Sequence, residues 1–178
     1  MADKDGKLIK KIKKGNQQAF RILYDRYANY ALRTAYAITR SRSDAADVVQ
    51  ETFIKVYRNI DTFDLNKAFK PWFYRILINE SRRFLKKNSR ESVTTSSDVL
   101  LDYLHQSQNE MKSYENLNIA LEYLPENTRT LLILKYLNAF TEKEIADMLE
   151  LNLSTVKSRL YKARNDLRAS LGGVADEE

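Results

Sequence analysis

Apolar positions recur along this chain at steps of three and four rather than two, the spacing of helices that bury one face. In the first half Asn16 is a candidate N-cap. After it Phe20, Leu23, Tyr24, Tyr27, Tyr30, Ala31, Thr34 and Ala35 form one apolar or aromatic stripe, read as inward packing. A second helix is predicted from Ser43 and Asp44, residue types suited to a helix start. Val49, Phe53, Val56 and Ile60 supply its buried side, and Asp47, Gln50, Glu51, Ile54 and Arg58 share another face. A third is predicted from Pro71, with Trp72, Phe73, Ile76, Leu77 and Phe84 inward.

Periodicity then lapses. Residues 89–115 are rich in Ser, Thr, Asn and Gln and read as an acidic, flexible linker with one apolar island, Val99 to Leu104. Beyond it come Leu117, Leu121 and Leu124, then Pro125 at a helix start, then Leu131, Leu132, Leu134 and Tyr136. Thr141 and Glu144 have the spacing of a capping box, and Ile145, Ala146 and Leu149 continue on one face. After a short break Ser154 can cap a last helix, in which Val156, Leu160, Ala163, Leu167 and Leu171 form the buried stripe. The expectation is an all-α chain: a helical domain over 1–88, the linker 89–115, a helix-turn-helix domain over 116–172 and a disordered tail 173–178. Only two prolines and four glycines in 178 residues agree with it.

Charge sharpens the picture. Residues 1–90 hold 21 of the 30 Lys and Arg, and the net charge of +6 is therefore carried by the first half. That asymmetry suggests a nucleic-acid partner. No cysteine is present, which excludes disulfides and thiolate metal sites and fits a reducing cytoplasm. No apolar run has the length of a membrane span, and the start MADKDGKLIKKIKKGN lacks the apolar core of a signal peptide. A cytoplasmic protein without direct membrane insertion is expected.

Three constellations carry candidate chemistry. In the last helix Lys157, Arg159, Lys162, Arg164 and Arg168 face a single acid, Asp166. The second helix of a helix-turn-helix enters the major groove with its N-terminal residues on base edges. Ser154, Thr155, Lys157, Ser158 and Arg159 would then approach bases or nearby phosphates, with Lys162 and Arg164 farther along the backbone. In the third helix Arg75, Asn79, Arg82, Lys86 and Arg90 follow one another at helical steps, with Arg83 and Lys87 alongside. The preceding stretch, with Asn66, Lys67 and Lys70, crowds Phe63, Phe69, Trp72, Phe73 and Tyr74 together. Cations interleaved with rings suit single-stranded nucleic acid. Aromatics in that number are also what a core contains, and one or two facing outward suffice for a base platform. The acid and amide face of the second helix suits a protein partner or simply solvent.

The runs DAADVVQETFIKVYRNIDTF, FKPWFYRILINESRRFLKK and EIADMLELNLSTVKSRLYKAR resemble the sigma-70 family of bacterial transcription initiation factors, most closely its compact extracytoplasmic-function (ECF) type. The resemblance covers roughly Ala19 to Lys87 and Leu117 to Leu171. It implies core RNA polymerase, promoter DNA and an anti-sigma factor as partners. By position it assigns Asp47, Gln50, Glu51 and Ile54 to core polymerase. It assigns the loop Asp61 to Lys70 and the following helix, with Asn66, Lys67, Lys70, Trp72, Arg75, Asn79, Arg82, Arg83 and Lys86, to recognition and opening of the minus-ten element. Ser154, Thr155, Lys157, Ser158, Arg159, Lys162 and Arg164 fall to the minus-thirty-five element. The family turn usually has glycine where Glu150 stands and often proline at Asn152.

The alternative is a stand-alone helix-turn-helix repressor or activator, which would bind duplex DNA, usually as a dimer on a palindrome. An enzyme is not expected. The single histidine, His105, lies in the linker, no phosphate-cradling glycine loop is present, and Asp44, Asp47 and Glu51 lack a partnering histidine or second acidic cluster for a metal. No cofactor, metal or small-molecule substrate is anticipated.

Overall fold

The computed structural model describes residues 2–88 and 124–172, with side chains over 5–87 and 124–166. The chain divides into two compact units, Met1–Ser97 and Asp98–Glu178, and the division falls inside the segment read as a linker. That segment, with His105 and the Val99 to Leu104 island, lies outside the described residues, as do Arg90 and the tail. Every regular element among the described residues is helical.

The first unit holds α1 (Ala2–Ile12), α2 (Gln17–Thr39), α3 (Arg42–Asn59) with a one-turn 3-10 extension Ile60–Thr62, and α4 (Phe69–Asn88). Helix α1 was not foreseen. Its Ile9 and Ile12 are buried, and it ends in a Schellman turn: Gly15 at φ +82°, with Asn16 N–H donating to the Lys11 carbonyl at 3.1 Å. Asn16 then caps α2, its Oδ1 accepting from Ala19 N–H at 2.9 Å. Helix α3 starts at Arg42, just ahead of Ser43 and Asp44, because Ser41 is its cap and accepts from Asp44 N–H at 3.2 Å. Tyr30 is a second correction: it is 58 % exposed, with the Arg33 guanidinium 5.7 Å from its ring.

Helices α2, α3 and α4 meet on a cluster of rings. Phe73, fully buried, lies 5.0 Å from Tyr27, 5.2 Å from Phe53 and 5.8 Å from Phe69, centroid to centroid. Removing a ring so enclosed loses its transfer free energy and leaves a cavity. Phe73→Ala is expected to destabilise this unit by about 3–5 kcal/mol, read as a lower urea midpoint; a change below about 1 kcal/mol would mean the cluster collapses around the gap.

The second unit holds α5 (Glu126–Leu132), a π-helical turn Ile133–Leu137, α6 (Glu142–Leu149) and α7 (Leu153–Gly172). Leu131, Leu132, Ile133 and Leu134 are all buried, four in a row, which no single helical stripe predicts. The wide turn follows on this run: Asn138 N–H reaches back to the Ile133 carbonyl at 3.1 Å. Tyr136 is exposed rather than inward. Thr141 and Glu144 form the anticipated capping box, both reciprocal bonds present. Val156, Leu160 and Ala163 of α7 close the core over Ile145 and Met148.

Candidate functional site

Three solvent-facing surfaces collect the residues singled out above. On α3, Asp47, Glu51 and Ile54 are half-buried and Gln50 is exposed. They share one face, opposite the buried Ala45, Val49, Thr52 and Val56. Partial burial, and after it the nearby charge of Asp44, pushes the Asp47 carboxyl above its ordinary value. The folded protein therefore disfavours the charge on Asp47, which costs stability rather than adding it once the group is ionised. Among the described residues no group of three possible ligands is arranged to hold a metal ion.

The second surface joins the loop 61–70 to α4. The loop tip is a built turn: Asp64 Oδ1 accepts from Asn66 N–H at 3.0 Å, and Lys67 N–H donates to the Asp64 carbonyl at 3.0 Å. Leu65, Asn66, Lys67 and Lys70 are exposed, and the Lys70 ammonium stands 6.0 Å from the Tyr74 ring. Of the five crowded aromatics, Phe63, Phe69, Phe73 and Tyr74 are buried. Trp72 alone is half-buried, its ring 5.0 Å from Phe63 and 5.6 Å from Phe69. The core reading therefore holds for four of them, and of the five only Trp72 keeps part of its surface open. Along α4, Asn79, Arg83 and Lys86 are exposed and Arg75 and Arg82 half-buried, all on the side away from Phe73, Leu77 and Ser81.

One residue between these surfaces escaped sequence reasoning. Glu80, 4 % exposed, pairs with Lys55 of α3 and lies 2.8 Å from Arg83 Nη2, which is itself 3.9 Å from Glu51. The acid and amide face is thus joined to the cationic ridge through charge. The signal was present: Glu80 is the one acid in α4, three residues before an arginine.

The third surface is α7. The helix begins at Leu153, so Ser154 is inside its first turn and not its cap; Val156 N–H donates to the Asn152 carbonyl at 3.1 Å. Ser154, Lys157, Ser158, Arg159, Lys162 and Arg164 are exposed and Thr155 half-buried. Helical spacing puts Ser154, Ser158 and Lys162 opposite the buried Val156, Leu160 and Ala163, with Lys157 and Arg164 on one flank and Arg159 on the other. Tyr161, 64 % exposed, stands in the middle of this set and was missed, though period alone would have placed it there. The turn before α7 keeps the left-handed conformation usual for glycine: Glu150 has φ 55° and ψ 42°. A side chain there costs roughly 1 kcal/mol. Glu150→Gly is expected to raise the thermal stability of this unit by about that amount; a lower melting temperature would show that the Glu150 side chain contributes more than its backbone costs.

Comparison with known proteins bears on both units. Residues 23–91 match the family model for sigma-70 region 2 and residues 115–167 that for sigma-70 region 4. The ECF RNA polymerase sigma factor SigW of Bacillus subtilis is 32% identical over 179 residues, covering 93% of this chain and 95% of that protein. The ECF RNA polymerase sigma-E factor of Haemophilus influenzae is 33% identical over 177 residues, covering 90% and 91%. The solved structure of CnrH in complex with the cytosolic domain of CnrY is similar over 97% of this chain and 99% of that one, with a TM-score of 0.74 and 25% identity.

Proposed function

Since the chain belongs to the sigma-70 family of bacterial transcription initiation factors, in its ECF type, we propose that its three surfaces divide the work of initiation among named residues. A factor of this family binds core RNA polymerase, directs it to particular promoters and helps open the DNA. Here Asp47, Gln50, Glu51 and Ile54 of α3 bind core polymerase. The loop 61–70, Trp72 and the α4 residues Arg75, Asn79, Arg82, Arg83 and Lys86 recognise and melt the minus-ten element. Helix α7 reads the minus-thirty-five element through Ser154, Thr155, Lys157, Ser158, Arg159, Lys162 and Arg164, with Tyr161 added on the same face. The observation that carries this reading is the pairing of the two matched regions with an exposed cationic ridge in one and an exposed cationic recognition helix in the other.

The mechanism needs binding energy and no covalent step. Melting is opposed by stacking of roughly 1.4 kcal/mol per base-pair step, and a base stacked on a protein ring recovers roughly 1 to 3 kcal/mol. Trp72 and the loop tip offer the receiving surface, and cations along α4 hold the displaced backbone. Polymerase contacts and the upstream element supply the remainder. Work of this kind places the protein with the polymerase in the cytoplasm, and among the described residues no helix is long and apolar enough to cross a membrane. An anti-sigma factor is the third partner that membership of the family implies.

Binding measurements with and without core polymerase test the assignment. The expected result is co-elution with core and sequence-selective promoter binding by the complex. Tight palindrome binding by the protein alone as a dimer, without association with core, would favour a stand-alone repressor or activator.

A further inference from the structure

The loop assigned to the minus-ten element is held from outside its own sequence. Helix α3 and its 3-10 extension end at Thr62, where carbonyls have run out of intrahelical donors. One side chain meets a carbonyl of that last turn and the carbonyl of the extended residue just beyond it: Lys13 Nζ donates to the Asp61 carbonyl at 2.9 Å and to the Phe63 carbonyl at 2.8 Å. The ammonium thus sits at the negative end of that helix, where a cation is favoured, and both bonds are charge-assisted.

Lys13 is itself firmly placed. It follows α1 directly, its N–H donating to the Ile9 carbonyl at 2.9 Å, and the Schellman turn at Gly15 and the Asn16 cap fix the chain just beyond it. At the other end of α1, Asp5 pairs with Arg26 and accepts from the Tyr27 hydroxyl at 2.7 Å. Helix α1 is therefore pinned to α2 by polar contacts at one end and by Ile9 and Ile12 near the other. Phe63, the residue whose carbonyl is held, is buried with its ring 5.8 Å from Phe69 and 5.0 Å from Trp72. One residue later the exposed turn begins.

We propose that Lys13 is a positioning residue for promoter recognition, fixing the departure of the loop from α3 so that Leu65, Asn66 and Lys67 stand where an unstacked base is received. The inference rests on the loop being the minus-ten reader. With Lys13 in place the first residues of the loop are set before DNA arrives, and base discrimination follows from a preformed tip. Without it two carbonyls turn to water and the tip samples other positions, at a cost to discrimination more than to overall affinity.

The test is transcription by reconstituted holoenzyme from a promoter library randomised across the minus-ten element. Lys13→Met keeps the stem and removes the donors, and Lys13→Arg keeps donors and charge. Expected is a fall of about tenfold in discrimination at the preferred base for Lys13→Met, with substantial recovery in Lys13→Arg and core affinity unchanged in both. A tip variant, Leu65→Ala with Asn66→Ala, reports on the loop itself. If it alters base preference and Lys13→Met does not, the proposal is overturned while the loop assignment stands. If neither alters it, the loop is not the reader and both fall. Should Lys13→Met not fold, Lys13→Gln, neutral and still a donor, takes its place, with a smaller loss of discrimination expected and an unchanged preference counting against the proposal.

Discussion

Holoenzyme carrying Arg82→Ala with Lys86→Ala is expected to open promoters poorly while assembling normally. Both side chains lie on the outward edge of α4, Lys86 exposed and Arg82 half-buried, one turn apart on the ridge that continues from Arg75 and Asn79. Neither belongs to the ring cluster that holds the unit together. Each cation that neutralises a phosphate of single-stranded DNA steepens the salt dependence by about 0.7 in the log–log slope. Losing two should flatten that slope by about 1.4 and lower open-complex formation by roughly tenfold or more at physiological salt. Permanganate footprinting of the melted region over a salt series reads the opening, and affinity for core read in parallel should be unchanged. Equal loss of both would end the division of labour between α4 and α3. A premelted template, which removes the unstacking cost those contacts help to offset, should restore much of the activity if the defect lies in the melting step.

Asp47→Ala with Gln50→Ala should do the converse. These residues share the outer face of α3 with Glu51 and Ile54, and the buried stripe opposite is untouched by the change. The Asp47 carboxyl is raised by partial burial and by Asp44, so its charge stabilises the folded protein less than a solvated carboxylate would. In linkage terms the folded protein holds the Asp47 proton to higher pH than the unfolded chain does, so the contribution of this group to stability declines as pH rises through its shifted range. Removing it therefore leaves the fold intact. Core affinity is expected to fall by roughly thirtyfold or more, the scale of losing an interface hot spot of about 2 kcal/mol. Titration of labelled protein with core measures it; undiminished affinity would move the contact to another surface. The Glu80 network adds a refinement. Because Glu51 lies near Arg83 and Arg83 contacts Glu80, single substitutions at Glu51 will not separate the two functions as cleanly as the Asp47 and Gln50 pair.

Periodicity made much of this legible. The helical stripe of α3 is where spacing put it, as are that of α2 apart from Tyr30 and that of α7 over Val156, Leu160 and Ala163, and the capping box at Thr141 was readable from two residues three apart. What escaped did so for physical reasons. Helix α1 is amphipathic but has only a few apolar side chains among its lysines, so little in it marks a buried element, and its stability comes from docking on α2 rather than from propensity. The π-helical turn after α5 leaves no trace in a 3.6-residue pattern. Cap positions are decided by backbone geometry that Ser41 and Ser43 compete for, and likewise Asn152 and Ser154. Among Phe63, Phe69, Trp72, Phe73 and Tyr74, composition alone gave no means of telling floor from platform, since a ring that packs a core and a ring that stacks a base are the same residue. Lys13 was beyond sequence reading altogether: its bonds reach carbonyls 48 and 50 residues away, and a carbonyl carries no side-chain signature.

Run-off transcription on a genomic fragment library, using purified core RNA polymerase of the source bacterium with and without this protein, tests the central claim most directly. Defined start sites are expected that need both components and that share paired upstream elements at a fixed spacing. Starts that are the same without the protein, or none with it, together with no co-elution with core, would contradict it.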